Sequence, residues 1–480
     1  MCKRLENEQK PCAKACQRAH GKVCLLRGFA NACIRLDRTA SRMEATMRDR
    51  KNLAFAVVLA SGILIVGTGQ SQSTNNFELV PTIAFSSVRN LPTCLATVPV
   101  RNQPASGEIY LMSPDGTNVQ QLTDNDNCTH GDAFAALSPD GKKIVFDRMQ
   151  QATDPLNPAD QFLISDLFLM AADGTDQQLL IQGSSASWSP AVAENNHGAP
   201  ESRQIVFHAS ASGTSLPIRP DPGAPTFDSD LFVLNVDDCL QFHSVQPGAN
   251  CRDLATDITD NLQPGPMAPN YNGGQFTPIA VPAIEEDANW SPDGTKIVFT
   301  SHPAVSVFCA SSGTCNYPDN EIYTVNPDGT GLTQLTHNNF EERAPAWSPD
   351  GLHIAYMCRI GPLNQQTGLN TFEICVIDTT GDGDGTEYRR LTSNKVLDAT
   401  PSWSPDGTQI VLHRNPPPFQ LYVVKADTSC VENLDGSISC SCPSGTYPTS
   451  GTCEMQLTNT PGVMNGFPDW GEVRVRISVP

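Results

Sequence analysis

Four acidic residues recur at one place in a repeated motif, five residues before its tryptophan or leucine, and they are the first candidates for binding chemistry. They are Asp132, Glu285, Glu342 and Asp398. Carboxylates grouped on one surface attract cations or basic peptides, because their fields add. A repeated acid can also hydrogen-bond the neighbouring repeat, which is a structural role. We predict that these four acids form a binding ring at the mouth of a channel, with the structural role as the alternative.

A second candidate is the acidic segment "DTTGDGDGTE" at residues 378–387. Asp378, Asp382 and Asp384 fall at positions one, five and seven of a calcium loop, and Gly383 falls at its sharp turn. The third position is a threonine and the twelfth is Arg389, where a glutamate is expected. Ca²⁺ is therefore the one possible cofactor that the sequence indicates, and a long Asp-Gly hairpin turn explains the same letters.

Histidines offer a weaker signal. His208 and His413 occupy the same repeat position, and His302 lies close to that position. Equal positions in different repeats of a ring lie far apart, so a shared metal ion is not expected. We predict structural histidines, and we predict no catalytic residue and no cofactor-binding residue.

The cysteines indicate an oxidising compartment. Of 17 cysteines, five precede residue 47 and 12 follow from Cys94 onward, an even number that favours pairing. Local spacing predicts four pairs, the register of one hairpin predicts a fifth, Cys358–Cys375, and a sixth is left by elimination. The pairs are Cys239–Cys251, Cys309–Cys315, Cys358–Cys375, Cys430–Cys440, Cys442–Cys453 and, by elimination, Cys94–Cys128.

Charge and hydropathy divide the chain near its start. Residues 1–51 carry a net charge of +8, and the remainder carries −28, which argues against nucleic acid as a partner. The segment from Met47 has a basic start, an apolar run of about 14 residues and then small residues, the plan of a secretory signal peptide. We expect residues 1–46 to be a dispensable extension and residues 47–72 to be the signal peptide. A retained signal anchor is the alternative. We expect no stable membrane insertion of the mature chain, a periplasmic or secreted location and a monomer.

The elements that position the candidate residues follow from two alternating motifs. The first reads "AWSPDGLHIAY" from Ala346, and the second reads "NEIYTVNPDGTGLTQLT" from Asn320. Each occurs six times, with decayed copies included. The tryptophan or leucine of the first motif is here called the key residue, and the six key residues are Leu137, Trp188, Trp290, Trp347, Trp403 and Trp470.

Each motif pair predicts four short strands. Pro-Asp-Gly turns the chain between the first two strands, because proline fixes φ and glycine takes a left-handed conformation. Repeated four-stranded antiparallel units form a β-propeller. We predict an all-β fold, a six-bladed propeller over residues 78–480. A strand from Thr82 and "GFPDW", which ends at Trp470, complete one blade from both ends of the chain.

The Trp-Ser-Pro-Asp-Gly motif, followed by an apolar strand, resembles the WD-like repeats of TolB-like β-propellers over roughly residues 80–475. The resemblance implies the propeller fold. Related propellers include oligogalacturonate lyase, which has a His-lined metal site, and the non-catalytic half of prolyl-oligopeptidase-type enzymes. This sequence contains no Gly-x-Ser-x-Gly motif of a hydrolase. The insert at residues 429–454 resembles the second half of an EGF module, which implies the order of its two cysteine pairs.

These observations favour a binding scaffold that takes a protein or carbohydrate ligand at an acidic channel face. The alternative function is a propeller enzyme, a polysaccharide lyase or hydrolase, acting at the channel mouth. An enzyme needs convergent acid–base or metal-binding groups on one face. The sequence shows repeated acids without a matched set of histidine, arginine or lysine residues.

Overall fold

The computed structural model divides the chain into two compact parts, residues 1–75 and 76–480. The described residues are 55–58, 64–67, 77–89, 107–125, 130–153, 161–190, 203–210, 229–246, 251–259, 283–303, 308–309, 315–316, 320–337, 341–359, 372–379, 388–394, 396–415, 418–426, 431–432, 438–439 and 453–476. In the first part they form one antiparallel strand pair, β1 and β2. The predicted boundaries of the extension and the signal peptide at residues 46 and 72 stay predictions.

Strands dominate the described residues. They are β1 (Phe55–Val58), β2 (Leu64–Gly67), β3 (Phe77–Ser87), β4 (Glu108–Met112), β5 (Gln120–Gln121), β6 (His130–Leu137), β7 (Lys143–Thr153), β8 (Gln161–Ala171), β9 (Gln178–Gln182), β10 (Ser184–Trp188), β11 (Gln204–Ser210), β12 (Ser229–Asn235), β13 (Thr256–Asp257), β14 (Ala283–Trp290), β15 (Ile297–Pro303), β16 (Phe308–Cys309), β17 (Cys315–Asn316), β18 (Glu321–Val325), β19 (Thr333–Gln334), β20 (Glu342–Trp347), β21 (His353–Arg359), β22 (Phe372–Asp378), β23 (Tyr388–Arg390), β24 (Asp398–Trp403), β25 (Gln409–Arg414), β26 (Gln420–Lys425), β27 (Val431–Glu432), β28 (Ile438–Ser439), β29 (Glu454–Gln456) and β30 (Asn465–Arg476).

Antiparallel pairing groups most of these strands into six quartets, here called units I to VI, and the strands of a unit are numbered first to fourth in the order given. They are I (β30-β3-β4-β5), II (β6-β7-β8-β9), III (β10-β11-β12-β13), IV (β14-β15-β18-β19), V (β20-β21-β22-β23) and VI (β24-β25-β26-β29). Five first strands end at their key residue, as the repeats predicted, and β30 continues past Trp470 to Arg476.

The sheets confirm the all-β propeller class but are not six separate blades. Units I, II, V and VI are separate four-stranded sheets, whereas units III and IV belong to one eight-stranded sheet. A single parallel bridge between Ser229 and Ile284 joins those two units. The prediction of six separate four-stranded sheets is therefore only partly reproduced.

The repeated Ser-Pro-Asp-Gly sequence forms one hydrogen-bonded turn. In unit IV the Ser291 hydroxyl donates to Asp293 Oδ1 at 2.7 Å and accepts from the Lys296 backbone N–H at 2.9 Å. Gly294 has φ of +71°, a left-handed conformation that glycine adopts without steric cost. The same serine–aspartate contact recurs in units II, V and VI. The motif therefore recurs in these units because its residues form the turn.

Each first strand carries a bulge three residues before its key residue. The residue there has a left-handed backbone although it is not glycine in any unit. These residues and their φ angles are Phe134 (50°), Ser185 (53°), Asp287 (56°), Ala344 (48°), Thr400 (48°) and Phe467 (51°). The left-handed backbone conformation costs a non-glycine residue about 1–2 kcal/mol. Because it occurs at the same position in all six units, it is a regular feature of the first strands.

Hydrogen bonds link the first strand of each unit to that of the next. The residue directly before the key residue makes this link. In units II and V it is an alanine, and its carbonyl accepts a hydrogen bond from a tryptophan of the next unit: Trp188 Nε1 donates to Ala136 O and Trp403 Nε1 to Ala346 O, both at 3.0 Å. In the other units the side chain of this residue makes the link. These links are Leu137 N to Asp469 Oδ2, Asn289 Nδ2 to Ser187 Oγ, Trp347 N to Asn289 Oδ1 and Trp470 N to Ser402 Oγ.

Both ends of the second part meet in unit I. The N-terminal strand β3 pairs with the C-terminal strand β30, with Ile83 opposite Trp470. The tail after the tryptophan continues β30 to Arg476 and pairs with the start of β3, so it extends the first strand and is not a fifth strand. The predicted completion of one unit from both chain ends is confirmed.

Apolar side chains from neighbouring units form the core. A pair of aromatic rings from the second and third strands recurs in units I to IV, with centroids 5.7–5.9 Å apart. Such pairs contribute about 0.5–1.5 kcal/mol beyond their burial. The pairs are Phe85–Tyr110, Phe146–Phe168, Phe207–Phe232 and Phe299–Tyr323.

Unit III carries helix α1 (Val236–Val245) and a 3₁₀ helix (Cys251–Leu254) between its third and fourth strands. Asn235 caps α1, because its side chain accepts from the N–H groups of Asp237 and Asp238. The Cys239–Cys251 disulfide, with Cα atoms 5.6 Å apart, ties the two helices together as predicted. Among the described residues, no helix has the length and apolar character to cross a membrane.

Candidate functional site

Two of the four predicted binding acids are buried in equivalent ion pairs. Asp132 and Asp398 have no exposed surface. Arg148 donates to both oxygens of Asp132 at 2.8 Å, and Arg414 donates to both oxygens of Asp398 at 2.6 and 2.8 Å. An arginine on the second strand of the same unit neutralises each of them. The channel-mouth binding role that the sequence predicted for these two acids stays a prediction.

A conserved side-chain amide extends each ion pair to the preceding unit. Asn125 Nδ2 donates to Asp132 Oδ2 at 2.9 Å while its backbone N–H donates to Glu108 Oε1 at 2.8 Å. Asn394 makes the same two bonds to Asp398 and Glu373, at 2.8 and 3.0 Å. The structural alternative raised from the sequence, a bond to the neighbouring repeat, therefore describes these two positions.

The other two acids of the set, Glu285 and Glu342, are also buried. Thr259 Oγ1 lies 3.5 Å from Glu285 Oε2. The residues opposite Glu285 and Glu342 on the second strands are Ser301 and Cys358, so neither has the arginine that Asp132 and Asp398 have. A binding role for these two acids stays a prediction.

A different charged group lies on the first strands, one and two residues further along. Glu286 and Asp287 of unit IV interact electrostatically with Arg343 of unit V, and Asp287 also interacts with His208 of unit III. These four residues are here called the inner cluster. Burial, followed by the Glu286 carboxylate, raises the pKa of Asp287, and His208 and Arg343 oppose that shift.

Arg343 is held in place and remains partly accessible. Its Nε donates to Glu341 Oε1 at 2.7 Å, and 42% of its side chain is exposed. Burial lowers the pKa of Arg343, but the Glu341 and Glu286 carboxylates outweigh burial and raise it. A fixed, charged guanidinium beside two acids is a set of groups that can orient a polar ligand.

The same strand positions in units I and II are apolar. The rings of Phe134 and Phe467, both left-handed residues, have centroids 4.2 Å apart. His413 contacts Phe467 edge-on at 5.3 Å, and burial lowers its pKa to about 4. Burial thus favours the neutral form of His413, which supports the predicted structural role. His208, at the equivalent position, belongs to the inner cluster instead.

Strand direction places the inner cluster near the connecting segments. The first strand of a unit begins where the second strand ends, and the third strand begins at the same end, because all three pair antiparallel. The connections between second and third strands, and from one unit to the next, therefore depart from this end, here called the connection end. The Ser-Pro-Asp-Gly turns lie at the opposite end, the turn end.

The predicted calcium loop is only partly within the described residues. Asp378 ends β22, is exposed, and lies 3.1 Å from His353 Nε2. Asp382 and Asp384 lie outside the described residues. Of His302 only the backbone, opposite Ile284, is described.

The structure contains the predicted Cys358–Cys375 disulfide as well as Cys239–Cys251. Cys309 and Cys315 are directly opposite each other on β16 and β17, the arrangement their predicted pairing requires. Cys453 is disulfide-bonded. Its predicted partner Cys442, and Cys94, Cys128, Cys430 and Cys440, lie outside the described residues.

The inner cluster leaves no recurring pattern in the sequence. Acids recur five residues before the key residue, and the charged residues of the inner cluster on the first strands occupy other positions. Arg343 and Glu286 share the next position, and Asp287 the one after, but the other units have small or aromatic residues there. A cluster formed by different residue types at equivalent repeat positions cannot be found by looking for recurring residues. The only sequence indications were the charged segments "IEED" and "EER".

No known family model matches the chain. Dipeptidyl-peptidase 5 from Porphyromonas gingivalis is 34% identical over 112 residues, which cover 22% of this chain and 15% of that protein. The chain therefore matches much less than two thirds of the length of this relative.

Solved structures share the fold at low identity. Hydrazine synthase from Kuenenia stuttgartiensis matches with a TM-score of 0.50 and 16% identity, over 83% of this chain and 47% of that chain. TolB from Acinetobacter baumannii matches with a TM-score of 0.46 and 14% identity, over 82% of this chain and 66% of that chain. The likeness to these structures concerns the fold alone.

Proposed function

We propose that this chain is an exported six-bladed propeller, closed by the pairing of β3 with β30, that binds a protein or other ligand at the connection end of its central channel. Six quartets of strands support the blade number. Closure is supported by the hydrogen bonds that link every first strand to the next, including Trp470 to Ser402 and Leu137 to Asp469.

Export is supported by the disulfides within the propeller and by the segment from Met47. N-terminal sequencing of the exported protein tests it. We expect the mature chain to begin between Gly69 and Asn75, and a mature protein that keeps residues 1–46 would contradict the proposal.

The inner cluster carries the binding proposal. Two half-buried acids, a partly exposed arginine and a histidine, all on or beside first strands, offer polar contacts of both signs. The rings of Phe134 and Phe467 lie at corresponding positions in units I and II. A ligand at this site would meet charged groups from units III to V and apolar groups from units I and II. Few polar groups on a largely apolar surface are typical of ligand sites.

Photo-crosslinking tests this location. A photoreactive residue replaces Ala344, next to Arg343, and in a matched control replaces Leu352, which is exposed at the turn end of the same unit. We expect partners from the exported fraction to crosslink to position 344 only, and Asp287→Asn to abolish the crosslink. Crosslinks from position 352 alone, or from neither position, would contradict the proposal.

A second candidate function is an enzyme, because His208 and Asp287 interact and could act as an acid–base pair. Sugar release from polyuronate and neutral polysaccharides by the purified protein tests it. Turnover that is lost in both His208→Gln and Asp287→Asn would favour the enzyme, and no turnover on any polymer would leave the binding scaffold.

A further inference from the structure

Helix α1 and the 3₁₀ helix of unit III bring two cysteines and a histidine together. Cys239 and His243 are four residues apart on α1, so they lie on the same face of that helix. Cys251 begins the 3₁₀ helix and is bonded to Cys239. His243 Nε2 lies 3.2 Å from the sulfur of Cys251 and 3.9 Å from that of Cys239. These three residues are here called the Cys-His-Cys group.

The side chains of this group distinguish it from the rest of the described residues. It is the one set of three histidine, cysteine or acidic side chains among them whose ligand atoms all lie within 4.8 Å of one another. The disulfide Cys358–Cys375 of unit V belongs to no such set among the described residues. A disulfide forms without an imidazole beside it, so the bond alone does not explain the position of His243.

The imidazole already lies at the distance that a tetrahedral metal site requires. Zinc binds sulfur at about 2.3 Å and imidazole nitrogen at about 2.0–2.1 Å, so a nitrogen and a sulfur on one ion lie about 3.5 Å apart. The two nitrogen–sulfur distances of the group, 3.2 and 3.9 Å, fall on either side of that value. Only the sulfurs must move, from about 2 Å apart in any disulfide to about 3.8 Å apart on one zinc ion.

The surroundings of the group favour a bound cation. Both cysteines have no exposed surface and pack in the apolar cluster that units II and III share. His243 lies in the last turn of α1, where unpaired carbonyls give the helix a negative end. Because His243 is only partly buried, solvent can supply the fourth ligand of a tetrahedral ion.

We propose that Cys239, His243 and Cys251 bind a zinc ion when the bond between the two cysteines is reduced. Metal and disulfide are then alternative links between α1 and the 3₁₀ helix. A dithiol reductant supplies two electrons and two protons, which convert the disulfide to two thiols, and the dithiol itself becomes a disulfide. Zinc then displaces both thiol protons, because thiolate is the form that binds metal. Exchange with a disulfide oxidant releases the ion and restores the bond between the two cysteines.

Redox conditions select which of the two links is present. A reducing compartment keeps cysteines as thiols, and an oxidising compartment favours the disulfide. An ion that binds the folded chain and not the unfolded chain stabilises the fold. The reduced chain should therefore be more stable with zinc than without it. The proposal rests on the geometry of the Cys-His-Cys group and is independent of the ligand proposed for the inner cluster.

Site-resolved alkylation tests the proposal on the full purified chain, reduced by a phosphine in the absence of oxygen. Peptide mapping reports how fast N-ethylmaleimide labels each cysteine with and without Zn²⁺. We expect Zn²⁺ to slow the labelling of Cys239 and Cys251 by at least about tenfold, because a thiolate bound to zinc is withdrawn from the reaction. The labelling of Cys358 and Cys375, the matched control pair, should not change.

His243→Gln removes the nitrogen ligand and leaves both cysteines in place. When oxidised, this variant should melt as the wild type does, because the disulfide does not need the imidazole. When reduced, it should lose the protection of Cys239 and Cys251 by Zn²⁺, whereas the control variant His353→Gln should keep it. Protection that persists in His243→Gln would show that two thiols alone hold the ion and would overturn the proposal. Equal protection of Cys358 and Cys375 would overturn it as well.

Co²⁺ absorption keeps the test decisive if the buried thiols label too slowly without metal. The chain has 17 cysteines, so the comparison with Cys251→Ser isolates this site. We expect the reduced wild type to show stronger thiolate-to-Co²⁺ absorption than Cys251→Ser, and Zn²⁺ to remove the difference. Equal absorption in the two proteins would mean that other cysteines hold the ion, and would contradict the proposal. A melting temperature of the reduced wild type that Zn²⁺ does not raise would contradict it too.

Discussion

Asp147 and His413 hold the same position on the second strands of two different units and accept a hydrogen bond from the same kind of donor. Asp147 Oδ1 accepts from the backbone N–H of Ser185 at 3.1 Å, and His413 Nδ1 accepts from that of Phe467 at 3.3 Å. Both donors are left-handed residues of the next unit. An acid and a neutral imidazole thus accept the same kind of backbone hydrogen bond. They have opposite effects on how the stability of the protein depends on pH.

Asp147→Asn should change how stability varies between pH 5 and 7. Burial raises the pKa of Asp147 to about 7, from an ordinary value of 3.8, despite hydrogen bonds from Ser184 and Ser165. The folded state therefore holds a proton that the unfolded state releases, so stability falls as pH rises through this range. We expect the melting temperature of the wild type to fall more steeply from pH 5 to 7 than that of the variant.

Asp173→Asn is the control for this measurement, because Asp173 is an exposed turn acid whose pKa the Thr175 hydrogen bonds lower. Its ionisation therefore changes the stability only at a pH below the range from 5 to 7. Equal slopes for the wild type and Asp147→Asn would show that Asp147 is ionised in the folded protein across this range.

His413→Gln should act in the opposite direction. Burial lowers the pKa of His413 to about 4, from 6.5, so the unfolded state binds a proton that the folded state rejects. Stability is present above pH 6.5 and is lost as pH falls toward 4. Glutamine keeps an acceptor for the Phe467 N–H and cannot be protonated. Unfolding in urea at pH 5 and 7 should show a smaller loss at pH 5 in the variant, and an equal loss would refute the assignment.

Asp132→Asn should destabilise the protein strongly, because it leaves Arg148 partly buried without its carboxylate. Removing one partner of a buried pair costs about 3–5 kcal/mol. The double variant Asp132→Asn/Arg148→Gln should recover part of that loss, since neither charge is then left alone. Urea denaturation of the single and double variants measures the coupling. Additive losses would mean that the carboxylate and the guanidinium do not act as a pair.

Replacing Cys358 and Cys375 by alanine should lower the free energy of unfolding by about 3 kcal/mol, the magnitude expected for a bridge that closes a short loop. Their Cα atoms are 5.8 Å apart on paired strands of unit V, and both side chains are buried. Denaturation of the double variant, compared with the reduced and oxidised wild type, tests this. A variant as stable as the oxidised wild type would show that packing alone holds these strands.

The repeats predicted the strands of this fold well because each repeated letter has a local mechanism. Serine, proline, aspartate and glycine form the turn by their own hydrogen bonds and dihedral preferences, and the register of a hairpin then places Cys358 and Cys375 together. The meeting of "GFPDW" with the strand from Thr82 followed from the count of incomplete units. Merging of units III and IV into one sheet was not predictable, because one bridge between Ser229 and Ile284 produces it.

Whether one of these acids is paired with an arginine depends on the residue opposite it on the second strand. Asp132 and Asp398 differ from Glu285 and Glu342 through the residue 11 positions after the key residue, which is Arg148 or Arg414 in one case and Ser301 or Cys358 in the other. The sequence contains these residues, but their pairing with the acids follows only from the register between the first and second strands. The bulge residues carry no sequence signal, because phenylalanine, serine, aspartate, alanine and threonine all occupy a left-handed position there.

Hydrogen exchange of the native protein tests most directly whether the six units form one closed ring. If β3 and β30 close it, the amides of Ile83, Phe85 and Trp470 open only with global unfolding, at the same free energy as amides in the central strands β7 and β25. If instead the amides of β3 and β30 exchange together at a clearly lower free energy while β7 and β25 remain protected, the ring is open at unit I, and the closed propeller is contradicted.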